Sequence, residues 1–204
     1  MTATPLGPLP IGVLVSGSGR SLENLVQKIR AGELDCRIVV VVSTKADAYA
    51  LERARRLELP SVVIDPLRRL DDEAFSRDVF AALDAHGCDS AVLAGFLRRL
   101  VLPTAWEGRV LNIHPSLLPA FGGKGYYGER VHKAVLARGV QFTGCTVHYV
   151  DNEYDAGPIL LQRCISVAPG DTPESLAARV FEEEKLALPE ALRRHVERRR
   201  TGAR

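Results

Sequence analysis

The chain has 204 residues, 46% of them hydrophobic and 25% charged, with a formal net charge of +2. That balance excludes a disordered polyanion or polycation and gives no argument for nucleic acid, and the longest apolar runs fall far short of the roughly 20 residues a membrane span needs. The four cysteines, Cys36, Cys88, Cys145 and Cys164, form no CxxC pair, and there is no HExxH or clustered Cys/His spacing; they read as reduced core thiols of a cytoplasmic protein without a metal site.

MTATPLGPLPIG lacks the basic-then-apolar order of a signal peptide. Residues 1–9 are expected to be a loose lead to a single domain spanning 1–204. IGVLVS (11–16) is a continuous apolar run, as in a parallel strand buried on both faces. It ends in GSGRS, after which SLENLVQKIRAG has helical periodicity and a glycine stop at Gly32. RIVVVVS (37–43) is a second strand, 46–59 a helix and SVVID (61–65) a third strand. Residues 71–87 form a helix with an acidic start and Gly87 at its end. SAVLAGF (90–96) and VLNIH (110–114) are further strands. A Gly-rich loop, AFGGKGYYGE, leads to a helix at 129–138, and GCTVHYV (144–150) and GPILLQRCISV (157–167) read as two strands close enough to be antiparallel. Thr172 is the expected N-cap of a last helix with Pro173 at its first position. That helix should run to about Leu188, where Pro189 breaks or kinks it. The basic end, RRHVERRRTGAR, reads as a solvated helix terminus that frays over 199–204. Strand–helix alternation of this kind implies an α/β fold, Rossmann-like and doubly wound, with a mainly parallel sheet and an antiparallel C-terminal part.

Ligands bind such sheets at the carboxyl ends of the strands, where SGSGRS, LAGFLRR and NIHPSLLP fall. SGSGRS follows a strand and opens a helix. It is either a tight turn or a phosphate site made of backbone N–H groups and a helix N-terminus, with Arg20 in the loop. In NIH, residues two apart share a strand face, so Asn112 and His114 project side by side. An amide beside an imidazole can hold a developing oxyanion, or can be two satisfied polar groups at a strand end. Pro115 and Pro119 restrict the backbone that follows. Asp155, in DNEYDAGPI, is a turn aspartate or a carboxylate that orients a histidine, although His114 is 41 positions away. His132 and His148 are further candidates. Ser116 lacks the G-x-S-x-G context of a hydrolase nucleophile.

LAGFLRRL, VLNIHPSLLPAF and TGCTVHYVDNEYDAGPILLQ together resemble the folate-dependent formyltransferase family, and within it the phosphoribosylglycinamide formyltransferases; the resemblance covers nearly the whole chain. It implies transfer of a formyl group from 10-formyltetrahydrofolate, the cosubstrate, to the amine of glycinamide ribonucleotide in purine synthesis, with small-molecule partners and no metal. Asn112, His114 and Asp155 match the family's catalytic trio. Asn112 would donate to the oxyanion, and protonated His114, paired with Asp155, would stabilise the same charge. A water near Asp155 would carry the proton from the attacking nitrogen to the leaving folate nitrogen. Gly17, Ser18, Gly19, Arg20 and Ser21 match the phosphate loop, and Glu184 a nucleotide contact. Phe96, Leu97, Arg98, Leu100 and the backbone from Val150 and Asp151 to Asp155 match the folate site. The sequence departs from the family pattern at Arg20, in the longer loop after Pro119, and near Asp72, where the family has an arginine that reaches the folate.

The resemblance also implies what neighbouring activities would need. A formyltransferase for methionyl-tRNA would carry a further C-terminal domain, and a formyltetrahydrofolate hydrolase an N-terminal regulatory one. Another phosphorylated or nucleotide-sugar amine is the nearest alternative acceptor. An anion-binding module without catalysis would explain SGSGRS but not Asn112, His114 and Asp155.

Overall fold

A computed structural model describes residues 7–202. Most of the expected lead, residues 1–6, and the last two residues of the expected tail lie outside the described residues. β1 (Leu9–Val15), α1 (Arg20–Arg30), β2 (Cys36–Ser43), α2 (Tyr49–Arg56), β3 (Ser61–Val63), α3 (Asp72–Ala85), β4 (Ser90–Leu93) and β5 (Val110–His114) alternate as expected. α4 (Glu129–Arg138), β6 (Phe142–Tyr149), β7 (Ile159–Ser166) and α5 (Pro173–Thr201) follow. Among the described residues, seven strands form one sheet in the order β3-β2-β1-β4-β5-β6-β7. β1 to β5 are parallel, and β6 and β7 are antiparallel. The chain winds outward from β1 to β3 and then returns to β4 on the other side of β1. The loops after β1 and β4 therefore diverge, and a crevice opens between them.

The period-2 burial of the strands divides the core between the two faces of the sheet. Ile11, Val13, Val15, Val41 and Val92 pack with α1, α4 and α5 through Leu22, Leu25, Val131, Leu188 and Leu192. Leu14, Val40, Val42, Ala91 and Leu93 pack with α3 through Phe75, Val79, Phe80 and Leu83. Both faces of β1, β2 and β4 are covered, which is why these strands are continuous apolar runs.

Four expectations are corrected. β4 ends at Leu93 rather than Phe96, because its pairing with β1 and β5 runs out there and the chain turns at Gly95, whose φ is 73°. Cys164 is exposed on β7, the edge strand, while the other three cysteines are buried as expected. Pro189 does not end α5, which runs unbroken from Pro173 to Thr201. A helix-interior proline leaves the carbonyl four residues earlier without a donor. Here that carbonyl is Lys185 O, and the Nδ2 of Asn24 on α1 donates to it at 3.0 Å. Nor does the helix fray at 199: Arg199 bonds both carboxylate oxygens of Asp89, at 2.9 and 2.8 Å, and Arg200 pairs with Asp35 at 2.6 Å. The start of α5 is as expected, with Thr172 and Ser175 forming a reciprocal capping box.

Candidate active site

A cleft of about 750 Å³ opens at the carboxyl ends of β1, β4 and β5. The phosphate-loop candidates Gly17 to Ser21, the folate candidates Phe96, Leu97, Arg98, Leu100, Val150 and Asp151, the trio Asn112, His114 and Asp155, and Glu184 all line it. Its two halves meet over β5. One half consists of the loop after β1 with α4 and α5, the other of the loop after β4 with the β6–β7 connection.

The loop after β1 is shaped by its contacts with α2. Gly17 O accepts from Ala50 N at 3.0 Å, and Ser18 O accepts from Arg53 Nε at 2.9 Å. Gly19 has φ 74°, and a Cβ there would lie 2.8 Å from the Ala50 Cα, so both conformation and space require glycine. Among the described residues no side chain caps α1. Its first-turn N–H groups are left for an anion, which the helix dipole also favours. The Arg20 guanidinium lies over the Phe181 ring of α5, 4.0 Å from its centre. It is thus held at the wall of the cleft by a cation–π contact. On the same helix face, burial pushes the Glu184 carboxyl up to about 7, against the opposing charge of Arg20.

The polar centre is built by strand pairing. Asn112 on β5 is directly opposite His148 on β6, and His114 is opposite Thr146. Asn112 Nδ2 is 3.1 Å from His148 Nε2 and 3.3 Å from Asp155 Oδ1. His148 Nδ1 faces the carbonyl of Tyr149 at 2.8 Å. That carbonyl accepts the Nδ1 proton and leaves Nε2 as acceptor for the Asn112 amide. His148 is therefore both of the things the sequence left open, a satisfied buried histidine and a wall of the site. His114 is buried; Nε2–H donates to Phe121 O at 2.8 Å, and Nδ1 is 3.4 Å from Asp155 Oδ2. Burial lowers the His114 pKa below its ordinary value; the Asp155 carboxylate and the Phe121 carbonyl oppose this without overcoming it. Burial works to raise the Asp155 pKa, but its histidine neighbours and the Gly123 N–H, which donates at 2.9 Å, hold it below the usual carboxylate range; His148 Nε2, 3.6 Å from Oδ1, contributes when that ring is protonated, as does the charge on His114.

Asp155 has φ 55°, a left-handed conformation that aspartate tolerates better than most residues. Two residues on, a Cβ at Gly157 would lie 1.9 Å from Tyr149 O, which explains the glycine of the D-x-GP stretch. The NIHPSLLP loop is held by more than its prolines. Thr146 Oγ1 donates to Ser116 O at 2.7 Å and accepts from Leu118 N at 3.0 Å, while Gln162 donates to Leu118 O. Ser116 is fully buried and donates to Ala120 O, a structural bond that leaves it no nucleophile's role.

On the other side, Phe96 and Leu100 are buried apolar walls, Leu97 is exposed, and Arg98 pairs with Asp72 at 3.1 Å. Asp72, where the resemblance suggested an arginine, thus holds an arginine of the loop after β4. Apolar walls beside the Val150–Asp155 backbone fit a flat heteroaromatic ring, and Arg98 fits an anionic substituent.

Residues 10–192 match the formyl transferase family. The chain belongs to this family. It is 41% identical over 177 residues to the chloroplastic phosphoribosylglycinamide formyltransferase of Arabidopsis thaliana, covering 85% of this chain and 61% of that relative. It is 43% identical over 184 residues to the trifunctional purine biosynthetic protein adenosine-3 of Gallus gallus, 89% of this chain and 18% of that one. The chain thus spans about three-fifths of the length of the plant relative and under a fifth of the bird one. Among solved structures, glycinamide ribonucleotide transformylase 1 of Symbiobacterium toebii superposes with a TM-score of 0.85 at 44% identity, covering 91% of this chain and 86% of that one. Phosphoribosylglycinamide formyltransferase of Brucella melitensis gives 0.82 at 38% identity, covering 91% and 94%. Like these formyltransferases, the chain carries a mainly parallel seven-stranded sheet closed by an antiparallel pair.

Sequence reasoning missed Phe181, the ring under Arg20, because nothing in a helical FEEEK run marks one aromatic as a partner of a loop 161 positions earlier. It also missed that Phe121 O and Gly123 N fix His114 and Asp155 through backbone atoms, whose partners no residue type reveals.

Proposed function

We propose that this chain transfers a formyl group from 10-formyltetrahydrofolate to the amine of glycinamide ribonucleotide, as a single domain in the cytoplasm, acting on small molecules rather than nucleic acid or membrane. The observation that carries the reading is the convergence of Asn112, His114 and Asp155 within hydrogen-bonding reach of one another at the floor of a cleft. Its relatives' names and the uncapped α1 beside Arg20 support a phosphorylated acceptor. The four cysteines, all thiols, support a reducing compartment.

The phosphate lies on the N–H groups of Gly17 to Ser21, with Arg20 at its edge, and Glu184 meets the ribose. The pterin lies between Phe96, Leu100 and the Val150–Asp155 backbone, with Leu97 and Arg98 over its tail. The acceptor nitrogen attacks the formyl carbon, and Asn112 and His114 hold the charge that develops on the formyl oxygen. In the resting geometry both Nδ2 protons of Asn112 face protein acceptors, and Nε2 of His114 is taken by Phe121 O. The longer of the Asn112 bonds, to Asp155, is the one released for the oxyanion. In its protonated form, which burial makes the minor one near neutral pH, His114 acts through its charge until the Phe121 carbonyl gives way. Asp155 favours the imidazolium and, through a bound water, passes the proton of the attacking nitrogen toward the leaving folate nitrogen.

The test is consumption of 10-formyltetrahydrofolate with and without glycinamide ribonucleotide. Consumption only with the ribonucleotide, giving a product heavier by one formyl group, is the expected result. Consumption without any acceptor would replace the reading by a hydrolase, and none in either case would replace the acceptor by another amine.

A further inference from the structure

The fold leaves one imidazole of the cleft without an assigned task. His132 is on the first turn of α4, is 4% exposed, and lines the cleft on the half that carries the phosphate loop and α5. Its Nδ1 is buried and has no hydrogen-bond partner, one of two such side-chain atoms among the described residues. A buried polar atom without a partner is destabilising, so a packed apolar side chain would be the more stable choice there if packing were its whole role. The other three buried histidines, His114, His148 and His195, each have both ring nitrogens partnered.

With no acceptor at Nδ1, a proton there would be an orphaned donor, a rarer defect than an unused lone pair. The proton therefore belongs on Nε2, and Nε2–H is the donor the ring has to offer. Burial lowers the His132 pKa, and the charge on His114 lowers it further, so the ring is a neutral hydrogen-bonding group and not a second cation. The ring shares the cleft with His114, and Arg20 and Glu184 line the same cleft.

We infer that His132 is a specificity-determining residue of the acceptor subsite, donating from Nε2 to the carboxamide oxygen that lies between the acceptor's reactive amine and its phosphorylated sugar. The inference rests on glycinamide ribonucleotide as acceptor. A bond of this kind holds the amine at the formyl carbon, and an acceptor without a carbonyl at that position forgoes it. It is made equally in the ground and transition states, so its loss raises KM for the acceptor more than it lowers kcat.

The experiment compares wild type, His132→Leu and His132→Gln for kcat, for the ribonucleotide KM and for the formyl-folate KM, with thermal melts to verify folding. The expected result is a rise of about tenfold in the ribonucleotide KM for His132→Leu, the size of one neutral hydrogen bond, with the folate KM unchanged. His132→Gln, which keeps an N–H donor of similar reach, recovers part of it. A purely structural histidine would move neither KM, and His132→Leu would melt at or above the wild-type temperature. A ribonucleotide KM for folded His132→Leu within twofold of wild type overturns the role of His132 alone. A wild type that neither binds nor formylates the ribonucleotide overturns the acceptor, and this inference with it.

Discussion

His114 Nδ1 lies 3.4 Å from Asp155 Oδ2, and the other ring nitrogen faces a backbone carbonyl, so each nitrogen of this imidazole looks at an oxygen. Two acceptors favour the imidazolium, whereas burial opposes it and prevails. Asp155→Asn removes the largest effect that raises the His114 pKa, so it moves the titration further below the ordinary value. Asparagine also tolerates the left-handed backbone of position 155, which alanine would strain. The expected outcome is a His114 ring resonance that titrates at lower pH than in wild type, with turnover reduced about 10²- to 10⁴-fold. Activity carried by the imidazolium then falls away at a lower pH as pH rises. A His114 titration that stays put or moves up counts against the pairing.

Arg20 and Phe181 make a second testable pair. Phe181→Leu keeps an apolar side chain but removes the ring face under the guanidinium. A cation–π contact at an exposed site contributes about 0.5–1 kcal/mol, so KM for the phosphorylated acceptor is expected to rise about two- to fivefold with KM for the folate unchanged. Equal changes in both would contradict a role confined to the phosphate end.

Asn24 carries a stability prediction. Asn24→Ala leaves Lys185 O buried against Pro189 without a donor, a loss of about 1–3 kcal/mol. Pro189→Ala restores a helical N–H for the same carbonyl. The double variant should therefore be less destabilised than the sum of the two single ones, a coupling that denaturant melts of all four proteins measure. Additive losses would show that the carbonyl finds another partner.

His195 predicts acid sensitivity at the opposite end of the sheet. Its Nε2–H donates to Ser90 Oγ at 2.8 Å, and its Nδ1 accepts from Tyr149 OH at 3.1 Å. Burial, then the charge of Arg199, pulls its pKa down to about 4 from 6.5. The unfolded chain therefore binds a proton that the folded one refuses. This contribution to stability is complete above pH 6.5 and is lost as the pH falls to about 4, by about 3 kcal/mol. Denaturation midpoints between those values should fall more steeply for wild type than for His195→Gln. Parallel curves would mean that the ring is not held neutral.

Much of this was readable from the chain because parallel strands buried on both faces are apolar runs, and Gly32, Gly87 and Thr172 mark helix ends by local chemistry. Asn112 and His114 shared a face by strand geometry alone. What was not readable depended on distance along the chain. Nothing near Pro189 announces that Asn24 will supply its missing bond. Nothing near Asp155 says that a turn will swing it under His114, and Cys164 looks as apolar in its setting as Cys145 until β7 proves to be the sheet's edge. The basic C-terminus looked solvated because the partners of Arg199 and Arg200, Asp89 and Asp35, precede other strands.

The central claim is that formyl transfer runs on the amide at the floor of the cleft, and the direct test is the turnover number of Asn112→Ala with both substrates saturating. The account predicts a loss of about 10²- to 10³-fold in a protein that melts like wild type, the usual cost of one oxyanion donor. Turnover within a few-fold of wild type would contradict it, since among the described residues no other side-chain amide is placed beside both His148 and Asp155.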